Sequence, residues 1–268
     1  MRAPNGQATS IEVGNGSGSL LGRRSFVRAG VGALSGLGLA RLGTSRAWAR
    51  PGQMCIGVGA SAPQSRSTQA IIALPDVRGL RGLSLEEAIE RRRSRREFSG
   101  AALDLIELAR LLFAAQGITQ VEGSLRAAPS AGALYPVEVY AVVHAMQGLE
   151  PGIYHYLVHE HALETRQSGD FRSALAEAGL GQAHLSRANV AFVLSTVPER
   201  TRWKYRERTE RYMLLEVGHI GQNLCLAATS MGLGACPVGA FWDDRLNRLL
   251  GLDGVKETAQ YIIVVGKL

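Results

Sequence analysis

Cysteine is scarce in this chain, with three in 268 residues: Cys55, Cys225 and Cys236. An odd number rules out a complete disulfide framework, and no CxxC or Cys/His spacing marks a zinc site, so Cys225 and Cys236 read as semi-buried thiols. No HExxH, GxSxG or P-loop is present, which removes the motif support for a zinc peptidase, a serine hydrolase of that type or a nucleoside-triphosphate hydrolase. His155, His159 and His161 stand in a polar stretch without a ligand pattern and read as solvated, and His219 reads as a satisfied core residue. No metal is expected. Long apolar runs are missing too: Ala29 to Ala40 is twelve apolar or small residues closed by Arg41, too short to span a bilayer as a helix. Acidic groups are nearly absent from the first 49 residues, where Glu12 stands against six arginines.

That imbalance locates the charge. The formal net charge is +7, of which residues 1–49 carry +5, leaving +2 for the remainder. The basicity therefore belongs to a leader, and no nucleic-acid partner is expected. Residues 1–21 are polar and rich in Gly and Ser, a composition that favours disorder. They precede Gly22-Arg23-Arg24-Ser25-Phe26-Val27-Arg28 and the Ala29–Ala40 run, with Ala47-Trp48-Ala49 beyond. Paired arginines, a weakly apolar segment and a small-x-small site resemble a twin-arginine signal peptide, which implies export through that translocase to the periplasm with cleavage after Ala49. Proteins on that route fold before crossing, commonly around a cofactor.

Residues 50–82, rich in Gly, Ser, Pro and Gln, read as an extended linker, and residues 83–268 as one folded domain. Ser84 with Glu87 and Asp104 with Glu107 are capping boxes that open two helices, the second stopped at Gly117. Val137–Val143 and Val190–Val197 are β-branched runs that read as strands, with a hairpin at 153–165 and a last strand at 261–265. Short helices are expected at 171–178 and 243–250. A long helix is expected over 206–231, apolar nearly all round in its second half and so central to a core or a dimer. The absence of strict strand–helix alternation favours an α+β class over a doubly wound sheet.

Three stretches carry chemistry. Arg91-Arg92-Arg93-Ser94-Arg95-Arg96 crowds cations at a helix end, suited to phosphate but also to RNA, acidic lipid or a solvated turn. Pro129-Ser130-Ala131-Gly132-Ala133-Leu134-Tyr135-Pro136 is small and stiff, as a loop approaching a flat ligand or an ordinary turn would be. Gly232 to Phe241 contains a GxG that follows a helix rather than a strand and is no dinucleotide fingerprint.

In this order and spacing, the three stretches resemble the nitroreductase superfamily over residues 83–267. The resemblance implies a mainly antiparallel central sheet flanked by helices, with FMN at a homodimer interface. It implies that Arg92, Arg93, Ser94 and Arg96 hold the FMN phosphate, ribityl chain and pyrimidine edge, with Lys267 assisting. It implies further that Pro129, Ser130, Ala131 and Gly132 pack on the flavin from the partner subunit, and that Pro237, Val238 and Gly239 present backbone N–H groups near flavin N5. Ala-Leu-Tyr-Pro at 133–136, and Lys204-Tyr205 leading into Arg211-Tyr212 and Glu216-x-Gly218-His219-x-x-Gln222-Asn223, are similar to the SagB-type dehydrogenases and azoline oxidases. In that branch the Lys-Tyr pair is implicated in catalysis. Tyr205 is then expected to take a proton from a small or peptide-derived substrate that yields a hydride to flavin, with Lys204 and nearby arginines favouring the phenolate. The rival readings are an NAD(P)H-dependent nitro or quinone reductase, disfavoured by export away from cytoplasmic nicotinamide, and a flavin-free binding protein on the same fold.

Overall fold

The computed structural model describes residues 70–268, so the signal peptide, its cleavage site, Cys55 and the first part of the linker lie outside the described residues. The folded part begins well before Leu83. Strand β1 (Ile71–Ala73) pairs antiparallel with β6 (Ala162–Ser168), while Leu74 and Val77 are buried, so the 70–82 portion of the expected linker belongs to the domain. Its single turn of β-branched sequence sits between Gly- and Pro-rich flanks, and its strand state comes from pairing.

The remaining strands are β2 (Ile118–Gln120), β3 (Leu125–Arg126), β4 (Val137–Val143), β5 (Gly152–Leu157), β7 (Val190–Thr196), β8 (Leu233–Val238) and β9 (Thr258–Lys267). Seven form one sheet in the order β1-β6-β5-β4-β7-β9-β8 with every pairing antiparallel, and β2 pairs with β3 separately. The helices are α1 (Leu85–Arg91), α2 (Leu105–Gln116), α3 (Arg172–Ala178), α4 (Ala183–Arg187), α5 (Glu199–Tyr205), α6 (Thr209–Ser230) and α7 (Asp243–Leu250). Both expected capping boxes form, at Ser84/Glu87 and Asp104/Glu107.

The sheet is covered on both faces. Successive strand residues point to opposite sides. Val139, Ala141, Phe192, Leu194 and Ile263 thus meet α2 and α6, while Val142, Ala191, Val193, Ile262 and Val264 meet Leu175 of α3, Leu185 of α4 and Leu246 of α7. This double burial explains why β4 and β7 are apolar almost without alternation. Helix α6 packs Val217, Ile220, Leu224 and Ala228 inward at helical spacing, yet Leu214, Leu215, Gly218 and His219 are exposed on another face. His219 is therefore a surface residue rather than a core one.

The sequence between the strand β7 and α6 holds an element not expected there. Pro198 opens α5, which carries Lys204 and Tyr205 at its C-terminal end rather than at the start of the long helix. Arg206, at φ 48°, breaks the two helices apart, and α6 begins three residues later than Arg206. Likewise, Leu233–Val238 is a strand rather than a loop: small residues give it little intrinsic β character, and β9 supplies the pairing.

Candidate functional site

One group of site residues gathers at the edge formed by β8. Helix α1 ends at Arg91, and the chain from Arg92 runs out along β8, with the Arg95 amide donating to the Ala235 carbonyl at 2.8 Å and the Ser99 amide to that of Lys267 at 2.9 Å. Arg92 is half-buried, while Arg93, Arg95 and Arg96 are exposed. Among the described residues none of these four guanidiniums forms an ion pair with a carboxylate. Four unpaired cations within five residues repel one another, and a bound polyanion relieves that repulsion. Ser94 to Ser99, with Leu268, line an open cleft here.

Behind the arginines lie the two thiols, both free and buried. Burial pushes Cys225 up to about 11 against the pull of Arg92, and raises Cys236 against the pull of Arg96 and the Ser94 hydroxyl. Neither is poised as a nucleophile. Pro237 is half-buried, Val238 buried and Gly239 exposed at the end of β8. Proline carries no N–H, so any amide donation expected of this stretch falls to Val238 and Gly239. Lys267 is turned elsewhere: its ammonium pairs with Glu107 and its amide donates to Asn189 Oδ1 at 2.9 Å, which places it at the start of α2 rather than among the arginines.

The second group forms around the turn at 129–136. Gly132 has φ 65°, and Ala133 and Tyr135 also adopt positive φ, at 54° and 46°. Two non-glycine residues in the left-handed region persist only where surrounding contacts hold them. Those contacts are visible. The amides of Ala133 and Tyr135 donate to the Ser130 carbonyl (3.1 Å) and hydroxyl (2.9 Å). Arg200 donates to the Tyr135 carbonyl at 2.9 Å, the Arg126 amide donates to the Tyr135 hydroxyl at 3.2 Å, and the Arg126 guanidinium lies 4.3 Å from the centre of the Tyr135 ring.

Lys204 and Tyr205 meet this turn from α5. A methyl group added at Gly132 would lie 2.6 Å from Lys204 Nζ and 2.7 Å from Tyr205 Oη, so only glycine lets both polar ends reach the turn. The ring of Tyr205 packs edge-on against Tyr212 of α6, with centroids 4.7 Å apart. Lys204, exposed, and Gly132, exposed, present this cluster to the outside.

Beneath the turn, Glu216 of α6 is 2% exposed. Burial pushes its carboxyl up to about 7, opposed by the Ser130 hydroxyl, the Gln116 amide and the Arg126 and Arg200 guanidiniums. In the sequence this residue stands out only as part of a helical pattern. The signal available was a lone acid among the apolar positions of a long helix, where a glutamate is not expected unless it is used. Two of the three hairpin histidines are not solvated as expected. His155 bonds Glu138 at 2.8 Å, and His161 bridges the Tyr156 hydroxyl (2.7 Å) and the Pro75 carbonyl (3.1 Å); His159 alone of the three is exposed. Among the described residues no cluster fit for a metal ion is found.

The two groups stand apart on one chain. Arg92 lies near Cys225 of α6 and Ser130 near Glu216, nine residues earlier on the same helix, and those two helix positions are about 14 Å apart along the axis at a rise of about 1.5 Å per residue.

This arrangement of sheet, helix and site has relatives. Residues 89–267 match the model of the nitroreductase family. The nitroreductase-like protein MJ1384 of Methanocaldococcus jannaschii is 38% identical over 196 residues, 73% of this chain and 96% of that protein. The trifolitoxin-processing protein TfxB of Rhizobium leguminosarum bv. trifolii is 34% identical over 145 residues, 52% of this chain but only 39% of TfxB. The crystal structure of a nitroreductase-like protein of Ralstonia eutropha superposes with a TM-score of 0.65 at 27% identity, covering 74% of this chain and 89% of that one. With its antiparallel sheet, its long helix and a family match across nearly the whole folded part, the chain belongs to the nitroreductase family of oxidoreductases.

Proposed function

We propose that the protein is an FMN-dependent dehydrogenase of the SagB-type, azoline-oxidase-like branch, acting on a small or peptide-derived substrate as a homodimer. The observation that carries this reading is the convergence of Lys204 Nζ and Tyr205 Oη on Gly132 within a strained turn. The likeness to TfxB, a toxin-processing protein, supports a peptide-derived substrate. The donor set fits FMN: unpaired guanidiniums at Arg92, Arg93 and Arg96 with the Ser94 hydroxyl suit a phosphate and polar chain, and Val238 and Gly239 suit a ring edge. FMN supplies a two-electron acceptor when bound. Tyr205 takes the substrate proton at Oη, and Lys204 holds positive charge beside it. Pro129, Ser130, Ala131 and Gly132 would pack on the cofactor of the other subunit. The spacing of about 14 Å along α6 between the positions that the two groups adjoin, together with exposed Leu214 and Leu215 on α6 and exposed Trp203 on α5, supports assembly of each complete site from two copies.

The test is the visible spectrum of the purified protein, recorded anaerobically with and without NADPH. Flavin bands that persist with NADPH but bleach with a substrate support the dehydrogenase. Absence of flavin bands overturns the reading, and rapid bleaching by NADPH turns it into a nicotinamide-driven reductase. We place the protein in the periplasm by the twin-arginine route, on the strength of Arg23 and Arg24; changing both to Lys should keep it in the cytoplasm, and unchanged export would refute this placement.

A further inference from the structure

Among the described residues, two buried polar atoms near the turn lack a hydrogen-bond partner: Glu216 Oε2, with the Ser130 hydroxyl nearby, and Arg126 Nε. They are a complementary acceptor and donor, and Gln116 stands between them. Its amide donates to Glu216 Oε1 at 3.5 Å, and its carbonyl accepts from Arg126 Nη1 at 3.4 Å. Both bonds are long, so the bridge is weak. Arg126 is meanwhile held over the Tyr135 ring, where it helps keep Tyr135, and with it Gly132 and Ala133, at positive φ.

We infer that Glu216 is a positioning residue for the 130–135 turn, and that its ionisation draws Arg126 off Tyr135 and releases Gly132 from Lys204 and Tyr205. This rests on the reading of that turn as part of the reactive site. With the carboxyl neutral, only the Gln116 carbonyl and the charge of Glu138 compete with Tyr135 for the guanidinium. With the carboxyl ionised, a buried anion and a buried cation lie on either side of one amide, and a direct bidentate pair is the lower-energy arrangement. The charged groups facing Glu216 are Arg126 from β3 and Arg200 from the start of α5, and the neutral polar ones are Gln116 from α2 and Ser130. Arg200 is already engaged by Glu138 and the Tyr135 carbonyl, so Arg126 is the guanidinium free to move. A carboxyl that titrates near neutrality fits such a device.

The test is hydrogen–deuterium exchange on the full-length protein as purified, between pH 5.5 and 8.5, corrected for intrinsic rates. The reporters are the Ala133 and Tyr135 amides, both bonded to Ser130. In the wild type their protection should fall by up to about tenfold per pH unit as pH rises toward neutrality and level off above about pH 7. In Glu216→Gln it should stay at the low-pH value throughout. If Glu216→Gln does not fold, Arg126→Met removes the cation that moves and should likewise abolish the slope. A slope retained in either folded variant, or absent from the wild type, overturns the inference. The visible spectrum of the same samples reports flavin separately, so failure of the flavin reading and failure of this one register in different measurements.

Discussion

Replacing Gly132 with Ala separates the cost of a strained backbone from the cost of a displaced reactive pair. At φ 65° an alanine costs about 1–2 kcal/mol, offset in part by a stiffer unfolded chain, for a net loss of about 1 kcal/mol. The added methyl at 2.6 Å from Lys204 Nζ and 2.7 Å from Tyr205 Oη falls short of the ordinary contact range that starts at 3.4 Å, so both atoms must retreat by about 0.7–0.8 Å. Both are ends of adaptable side chains, so the retreat adds little to the stability loss. It matters for chemistry, where a misplacement of about 1 Å can cost about 100-fold in rate. Gly148 is the control: its φ is 74°, and an added methyl meets nothing within 4 Å, so Gly148→Ala carries the backbone cost alone. Urea unfolding should show both variants losing about 1 kcal/mol. Stopped-flow bleaching of the flavin band by a donor that reduces the wild type should slow about 10- to 100-fold in Gly132→Ala and stay unchanged in Gly148→Ala. Equal rates in the two variants would refute the placement of Lys204 and Tyr205 in the reaction.

Tyr205→Phe should retain flavin at wild-type stoichiometry and slow its reduction by substrate at least 100-fold; an unchanged rate by stopped flow removes the proton-accepting role. Arg92→Ala with Arg96→Ala should yield a folded protein with flavin occupancy lowered at least tenfold, read as absorbance after gel filtration, and full occupancy would sink the phosphate assignment. Glu216 titrates near 7 in the folded protein against 4.5 ordinarily, so the folded state holds the proton more tightly. Its contribution is complete below about pH 4.5 and is lost as pH rises to about 7, a span worth about 3 kcal/mol. Wild-type stability relative to Glu216→Gln should therefore fall by up to that amount between pH 5 and pH 8 in urea titrations; a constant difference would contradict the burial argument.

Much of the local structure is written in short stretches of residues. Ser84 with Glu87 and Asp104 with Glu107 satisfy the first amides of their own helices, so both starts are legible without the fold. Val139–Val143 and Val190–Leu194 run apolar without alternation because both sheet faces are covered, and that continuity is visible in one dimension. The arginine cluster after α1 is local in sequence, so its concentration of positive charge is legible without the fold. Strand β8 was hidden because Gly-Ala-Cys-Pro has little strand preference and takes its state from β9, and β1 because three residues beside a Pro/Gly-rich flank look like linker until β6 pairs with them.

The chain by itself therefore determined the class of fold, the starts of α1 and α2, the central strands and the cluster of cations after α1, all of which depend on neighbours within one or two turns. Only the tertiary structure decided that Lys204 and Tyr205 end a separate helix and bear on Gly132, 72 residues earlier, that Lys267 belongs to Glu107, and that Glu216 is sealed beneath the turn. Those relations come from how α5 and α6 pack against the sheet, and burial and strain exist only once distant segments have excluded water from between them.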